Sequence, residues 1–128
     1  MTAVLDASAV LALIYREPGH DTVTTLLGGA VISSVSLSEV VQQLSRRGHP
    51  SPAGAAEGIR QLGVTVLPFT TGTAIKAGLL WIQTRTAGLS LGCRSCLVIT
   101  ADTPGAVAVT ADPAWADLDL DIAVQVIT

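Results

Sequence analysis

Three acidic residues stand where a predicted strand passes into a predicted helix. Asp6 and Asp112 each follow an apolar strand-like stretch, and Glu39 lies in the helix that follows residues 31–33. Because the carboxyl ends of neighbouring parallel strands meet at one edge of a sheet, we expect these carboxylates to converge there. Clustered carboxylates suit Mg²⁺, which takes oxygen ligands from a few acids and from substrate phosphates. Such a metal polarises a phosphodiester and activates water, so the three acids predict hydrolysis of a nucleic acid backbone.

Each acid also has a purely structural interpretation. Asp6 would be the N-cap of the first helix, and Glu39 would be the second member of a capping box that begins at Ser36. Asp112 precedes Pro113, which is typical of an N-cap followed by proline in the first turn. The two interpretations are compatible, because a helix N-terminus stabilises a carboxylate that also binds a metal. The repetition at three junctions favours a shared site.

The elements that would position these acids alternate along the 128-residue chain. The predicted strands are residues 4–5, 30–33, 64–67, 107–109 and 122–126. The predicted helices are residues 8–15, a segment ending near 27, 36–47, 53–62, 71–86, 90–100 and a short segment after 113. This alternation predicts one α/β domain over residues 1–128, with a mainly parallel sheet of four or five strands and helices on both faces. The helix at 8–15 is apolar almost all round, so we expect a second subunit or a partner to cover part of it.

The composition narrows the class of protein. Apolar residues make up 49% and charged residues 13% of the chain, which is typical of a folded globular protein. Only four aromatic residues occur, so a base-stacking platform for single-stranded nucleic acid is not predicted. The formal charge of −3 argues against binding nucleic acid by bulk positive charge, although bound metal ions would reverse the sign locally. No pattern of a signal peptide or a membrane span occurs, so we expect a cytoplasmic protein.

Four segments of the sequence resemble the PIN domain, specifically the toxin ribonucleases of bacterial VapBC toxin–antitoxin pairs. In chain order they are VLDASAVLALIYREPG, SSVSLSEVVQQL, GLSLGCRSCLVIT and AVAVTADPAWADL. The resemblance implies a PIN-like three-layer sandwich and an endoribonuclease that depends on Mg²⁺ or Mn²⁺ and acts on structured RNA such as tRNA or rRNA. It also implies a cognate VapB-type antitoxin, a homodimer, and a heterotetramer or larger assembly with the antitoxin.

The same motifs imply the roles of individual residues. Asp6, Glu39 and Asp112 would be catalytic acids that bind the metal ion. Ser8 and Thr110 would supply hydroxyl groups that support this cluster.

Two further residues are candidates because of their positions. Arg94 directly follows a site position, so it would contact an RNA phosphate or pair with a nearby acid. Asp117 is close enough to Asp112 in the sequence to serve as an auxiliary acid.

The chain departs from the family motif at Cys93, where the family has an active-site aspartate in a segment that reads GLSLGDR. Position 93 is also the third residue after Ser90, which has the form of an N-cap. A thiol is neutral near pH 7 unless its pKa is lowered, and a thiolate prefers softer metals than Mg²⁺. We therefore predict a weakened or inactivated nuclease. The alternative is a non-cleaving PIN module that binds an antitoxin or RNA.

Cys93 and Cys96 permit two other hypotheses. A C-x-x-C sequence at a helix start resembles a thiol redox motif, because the helix N-terminus lowers the pKa of a thiol. The pair would otherwise be half of a zinc site, but His20 and His49 are far away in the sequence. Taken alone, Cys96 is expected to be a small buried hydrophobic residue.

Overall fold

The computed structural model describes all 128 residues and contains one five-stranded sheet. The strands are β1 (Thr2–Leu5), β2 (Val31–Ser33), β3 (Thr65–Leu67), β4 (Ala106–Thr110) and β5 (Val124–Val126). Their order in the sheet is β3-β2-β1-β4-β5, and every neighbouring pair is parallel. The predicted parallel sheet of four or five strands is therefore confirmed.

Seven α-helices cover the sheet. They are α1 (Ala7–Tyr15), α2 (His20–Leu26), α3 (Ser34–Arg46), α4 (Pro52–Gln61), α5 (Thr71–Leu79), α6 (Trp81–Thr84) and α7 (Leu91–Asp102). Two 3-10 helices occupy Arg85–Ala87 and Pro113–Asp117. None of the helices combines the length and the apolar composition that crossing a membrane requires.

The two faces of the sheet are buried in separate hydrophobic clusters. Leu5 of β1 and Val109 of β4 belong to the cluster that includes residues of α1, α2, α3 and α4. Val4 and Ala108, their chain neighbours, belong to the cluster formed with α7 and Trp115. Successive side chains of a strand point to opposite faces, and both faces of a parallel sheet are covered. This arrangement confirms the predicted layers of helices on both sides of the sheet.

The register of the central strands brings the site residues to one edge. Leu5 pairs with Ile32 on one side and with Val109 on the other. The residues that follow, Asp6 directly after β1 and Thr110 at the end of β4, therefore lie next to each other at the carboxyl edge of the sheet.

The predicted capping box at Ser36 is wrong. Helix α3 begins at Ser34, and Ser33 is its N-cap, with a side chain that accepts a hydrogen bond from the backbone N–H of Ser36 (2.9 Å). Ser33 is both the last residue of β2 and the cap, so the strand passes into the helix without a loop. Ser36 lies inside the first turn, and Glu39 therefore has no capping role.

The predicted helix over 71–86 is also interrupted. Helix α5 ends at Leu79, α6 begins at Trp81, and a 3-10 helix follows α6. Near this break, Nη1 of Arg94 donates a hydrogen bond to the carbonyl oxygen of Ala77 (2.8 Å). A side chain from α7 thus bonds the backbone of α5 close to the point where its regular hydrogen bonding ends.

Helix α1 is covered by its own chain over residues 9–12, whereas residues 13–15 at its end are partly or fully exposed. It contacts both α2 and α3. Four of the exposed large apolar side chains lie together on α5 and α6, namely Ile75, Leu79, Trp81 and Ile82, whereas α1 contributes only Tyr15. The homodimer stays a prediction.

Candidate functional site

Asp6 is a buried carboxylate at the end of the central strand, with 3% of its surface exposed. It is the N-cap of α1, and its Oδ1 accepts hydrogen bonds from the backbone N–H of Ala9 (2.8 Å) and from the hydroxyl of Ser8 (2.7 Å). Its Oδ2 accepts a hydrogen bond from the hydroxyl of Thr110 (2.6 Å). Both oxygens of Asp6 are therefore held in fixed directions.

The two hydroxyl groups also bind the segment that carries Asp112. Ser8 Oγ accepts a hydrogen bond from the backbone N–H of Ala111 (2.9 Å), and Thr110 Oγ1 accepts one from the N–H of Asp112 (3.1 Å). The Asp112 carboxylate caps the following 3-10 helix through the N–H of Ala114 (3.0 Å). The structural interpretations of both Asp6 and Asp112 as N-caps are confirmed, and the two acids are neighbours as well.

The charge state of Asp6 is set by opposing effects. Burial raises the pKa of Asp6 above its ordinary value, whereas the hydrogen bonds from Thr110, Ala9 and Ser8 lower it. Repulsion from the Asp112 carboxylate raises the pKa further. A cation placed beside Asp6 would relieve both the burial cost and the repulsion.

Glu39 lies on the wall of the cavity that Asp6 also lines. The cavity has a volume of about 300 Å³, and its lining residues are Asp6, Ala7, Ser8, Leu11, Glu39, Gln43, Ser90 and Cys93. The Glu39 carboxyl lies directly against Gly92, at the place a side chain would occupy there. The structure thus brings Glu39, from the second turn of α3, and Asp6, from the start of α1, to one cavity.

Cys93 lines the same cavity as a neutral thiol. Ser90 is the N-cap of α7, as predicted; its hydroxyl oxygen accepts from the backbone N–H of Cys93, and the hydroxyl lies 3.1 Å from the Cys93 sulfur. Burial raises the pKa of the Cys93 thiol, the bonds with Ser90 lower it, and the charges of Asp6 and Glu39 raise it. The net shift is upward, so the thiol carries no charge at neutral pH.

The structure does not support the redox or the zinc hypothesis. Cys96 is fully buried, its sulfur lies 3.5 Å from the carbonyl oxygen of Val4, and burial raises the pKa of its thiol well above the ordinary value. A redox pair needs a lowered thiol pKa, so both cysteines are shifted in the wrong direction. His20 lies beside Asp21, and Nδ1 of His49 accepts from the backbone of residue 51, so neither histidine joins the cysteines.

Two of the predicted supporting residues lie elsewhere. Arg94 points to α5, where it bonds the Ala77 carbonyl, and it forms no ion pair. Its Nε is buried without a hydrogen-bond partner. Asp117 is exposed and lines a separate surface depression with residues of the 3-10 helix 85–87 and of the loop after 117. The structure therefore brings Asp6, Glu39 and Cys93 to one cavity and joins the segment of Asp112 to Asp6 through Ser8 and Thr110, whereas Arg94 and Asp117 lie outside.

Sequence reasoning missed Gln43 and Gly92. Gln43 lines the cavity and lies four residues after Glu39, so the helical period alone places both on one face of α3. Gly92 touches Glu39 across the interface between α3 and α7. No sequence signal reveals that contact, because it depends on how the two helices pack.

The donor chemistry of the site fits a hard divalent cation, but only with few protein ligands. No group of three histidine, cysteine, aspartate or glutamate side chains is placed to hold one metal ion. Asp6 shares the cavity with Glu39, and the charge of Asp112 acts on it. Asp6 therefore belongs to both of the carboxylate pairs that could bind a cation, one with Glu39 and one with Asp112. Mg²⁺ is often bound by one or two carboxylates, with waters and substrate phosphates completing its coordination. The site fits that type of binding.

Solved structures with the same fold include proteins of toxin–antitoxin systems. Mycobacterium tuberculosis VapC20, described as a sarcin–ricin loop cleaving toxin, superimposes with a TM-score of 0.75 at 20% identity, covering 92% of this chain and 95% of that chain. VapBC2 from Rickettsia felis, bound to a promoter DNA fragment, gives 0.71 at 16% identity and covers 100% of both chains. DNA-bound VapBC from Salmonella typhimurium gives 0.69 at 19% identity, covering 100% of this chain and 99% of that chain. At these identities the likeness establishes the fold.

Sequence comparison identifies the family. No curated protein sequence matches the chain. The PIN domain profile, however, matches residues 3–120, which is nearly the whole chain and includes all three acids. This match confirms the resemblance drawn from the four motifs, and the chain belongs to the PIN domain family.

Proposed function

We propose that the chain is the toxin of a VapBC-type toxin–antitoxin pair, a metal-dependent endoribonuclease that is weakened by Cys93. The observation that carries this proposal is the arrangement around Asp6. A buried carboxylate shares a cavity with Glu39 and is joined through Thr110 and Ser8 to the segment of Asp112. Capping accounts for an acid at Asp6 and at Asp112, but it does not account for Glu39 or for the junction of Asp6 with the Asp112 segment.

In this proposal Asp6 holds Mg²⁺ or Mn²⁺ together with Glu39 or with Asp112, and waters and substrate phosphates complete the coordination. When bound, the ion supplies Lewis acidity towards a phosphodiester and lowers the pKa of an attacking water. The hydroxyls of Ser8 and Thr110 hold the Asp6 carboxylate in one orientation, because each donates to a different oxygen of it. Such outer partners set the direction in which a ligating carboxylate presents its lone pairs.

The partners follow from the same proposal. The substrate is RNA, with tRNA or rRNA as the expected class, and a VapB-type antitoxin is the expected inhibitor. The similarity to VapBC complexes supports the antitoxin. The exposed apolar side chains of α5 and α6 provide a surface for the expected homodimer or for contact with the antitoxin.

A second candidate is a PIN module that binds an antitoxin or RNA without cutting. Two observations favour it. Cys93 is a neutral thiol where the family motif has an aspartate, and the structure contains no set of three ligands for one metal ion. A site with one negative charge fewer attracts a divalent cation less strongly.

Cleavage of RNA by matched variants at position 93 separates the two candidates. The chain, Cys93→Asp and Cys93→Ser are compared in a titration with Mg²⁺ and with Mn²⁺. We expect Cys93→Asp to raise the cleavage rate at least about tenfold, equivalent to about 1.4 kcal/mol of barrier, because it restores a charged oxygen ligand. Cys93→Ser, which restores no charge, should leave the rate unchanged.

The same titration can also contradict the proposed metal-dependent nuclease. Adding Asp6→Asn to Cys93→Asp should abolish metal-dependent cleavage. If Cys93→Asp cuts no RNA at any metal concentration, the non-cleaving module is the better description. If Cys93→Ser abolishes an activity that the chain possesses, the cysteine itself is functional and the metal-site interpretation is wrong.

A further inference from the structure

Gly92 occupies a helical position that does not need glycine for its backbone. It lies in the first turn of α7, and it is absent from the glycines whose φ is positive. Glycine weakens a helix relative to alanine, so a glycine here has a cost without a conformational benefit. A methyl group built at Gly92 would overlap the carboxyl of Glu39. The missing side chain is therefore what leaves room for Glu39 at the cavity.

The carbonyl group of Gly92 is fixed by buried serines. The hydroxyl of Ser95 donates to the Gly92 oxygen at 2.7 Å, and the hydroxyl of Ser36 donates to the same oxygen at 3.1 Å. Ser33 Oγ lies 2.8 Å from Ser95 Oγ and 3.1 Å from Ser36 Oγ. We call Ser33, Ser36 and Ser95 the serine cluster. Its members come from the end of β2, from α3 and from α7, and all three are buried.

The serine cluster links the two elements that meet at Glu39. Ser36 lies three residues before Glu39 on α3, and Gly92 belongs to the turn of α7 against which the Glu39 carboxyl packs. None of the three serines lines the cavity, so none is placed to touch a ligand there. A buried, fully bonded polar cluster fixes geometry more strictly than an apolar contact of the same size.

We propose that Gly92 and the serine cluster are positioning residues for Glu39. The serines fix the first turn of α7 against α3, and Gly92 leaves the space in which the Glu39 carboxyl reaches the cavity wall. Because Glu39 accepts no hydrogen bond from the protein, this space is what sets its place. The inference rests on the proposed function only in that Glu39 is a metal-binding acid.

The main test is Gly92→Ala, with Gly78→Ala as a matched control. Gly78 is also a helical glycine, in α5, and a methyl group there would meet nothing within 4 Å. Carbon NMR of the Glu39 side-chain carboxyl, recorded without metal, is expected to report a displaced signal in Gly92→Ala and an unchanged one in Gly78→Ala. An unchanged Glu39 signal in a folded Gly92→Ala variant would overturn the proposal.

Ser95→Ala tests the serine cluster without adding volume. It removes the shorter of the two bonds to the Gly92 carbonyl, so the Glu39 signal should shift in the same direction as in Gly92→Ala, by a smaller amount. If Gly92→Ala does not fold, Ser95→Ala still tests whether the first turn of α7 positions Glu39. A Glu39 signal that stays in place in Ser95→Ala would remove the serines from the proposal.

Metal affinity provides the second readout and a link to function. In the Cys93→Asp background, Gly92→Ala should weaken Mn²⁺ binding about tenfold or more, in the range typical of losing a partner of a metal ligand. When Glu39→Gln is also present, Gly92→Ala should have no additional effect, since it acts through Glu39. If Gly92→Ala weakens Mn²⁺ binding equally with and without Glu39→Gln, the proposal is overturned.

The NMR signal of Glu39 and the Mn²⁺ affinity test the positioning of Glu39 and the proposed nuclease separately. If no variant binds Mn²⁺, the proposed metal-dependent nuclease fails, while the NMR signal of Glu39 still decides whether Gly92 positions that side chain.

Discussion

The two sides of the cavity hold their acids by different means. On the Asp6 side, formed by Asp6, Ser8, Thr110 and Asp112, a buried carboxylate accepts three hydrogen bonds and every hydroxyl has two partners. On the Glu39 side, formed by Glu39, Ser90, Gly92 and Cys93, the carboxylate is half-buried and rests in the space above a glycine.

The difference explains where the chain tolerates change. A side chain in a closed hydrogen-bond network cannot be replaced without leaving a buried partner unsatisfied. Cys93 lies on the other side, where its sulfur is bonded only to Ser90, its side chain packs against the hydrophobic cluster of α7, and the charges of Asp6 and Glu39 act on it. An aspartate can therefore be exchanged for cysteine at position 93 without disrupting the fold, at the expense of the chemistry of the site.

The largest effect is expected from Thr110→Val on the Asp6 side. Thr110 is fully buried, and valine keeps its shape but leaves Oδ2 of Asp6 without a donor and the N–H of Asp112 without an acceptor. Chemical denaturation should report a loss of about 3 kcal/mol in unfolding free energy. The control is Thr100→Val, also buried, whose hydroxyl bonds only a carbonyl within its own helix; it should cost less than about 1 kcal/mol. Equal losses would mean that the network around Asp6 adds no stability of its own.

A smaller effect is expected when a charge is added on the Glu39 side. Cys93→Asp brings a third carboxylate to the cavity of Asp6 and Glu39, so without metal it should lower the unfolding free energy by about 1 kcal/mol. Saturating Mn²⁺ should then raise the melting temperature of this variant by more than that of the parent chain, because a ligand stabilises most the state that binds it most tightly. Cys93→Ser is the matched neutral control. A Cys93→Asp variant whose stability ignores Mn²⁺ would argue against a metal site.

The contrast between the two sides also shows which features of the structure could be predicted from the sequence. The parallel sheet, the caps at Asp6, Ser90 and Asp112, and the grouping of acids follow from local patterns, because strand–helix junctions in such a sheet share one edge. The Ser36 capping box failed because Ser33, at the strand end, caps the helix by accepting from the backbone N–H of Ser36, which places Ser36 inside the first turn.

The Glu39 side was harder to predict than the Asp6 side. The contact between Glu39 and Gly92 joins residues far apart in the chain and depends on the packing of α3 against α7. The break of the helix near Leu80 and the position of Arg94 likewise follow from tertiary contacts. Composition and periodicity carry no information about such contacts.

The raised pKa of Asp6 predicts a change in the pH dependence of stability. Between the ordinary pKa of aspartate and the raised value in the fold, the native state binds more protons than the unfolded chain, so stability falls as the pH rises through this window. Asp6→Asn keeps an N-cap of equal quality and removes this titration. The side-chain NH₂ of the asparagine cannot accept the hydrogen bond that an Asp6 oxygen accepts, so the variant also loses a bond of the network. In EDTA, urea unfolding should find the loss of stability in Asp6→Asn largest at acidic pH and smaller as the pH rises through this window. Asp119→Asn, at an exposed loop position, should show no such trend.

The smallest effect concerns the reactivity of Cys93. Because its thiol has a raised pKa, alkylation by iodoacetamide near pH 8 should be slower than for a free cysteine, and Cys96, which is fully buried, should react more slowly still. Glu39→Gln removes a charge that raises the pKa of the thiol, so it should speed the alkylation of Cys93 by about twofold. Ser90→Ala removes bonds that lower the pKa and should slow it. Cys96 serves as the internal reference, since opening of the fold would expose both thiols together. If Glu39→Gln leaves the ratio of the two rates unchanged, the charge of Glu39 does not reach position 93, and the groups on the Glu39 side of the cavity are electrostatically independent of one another.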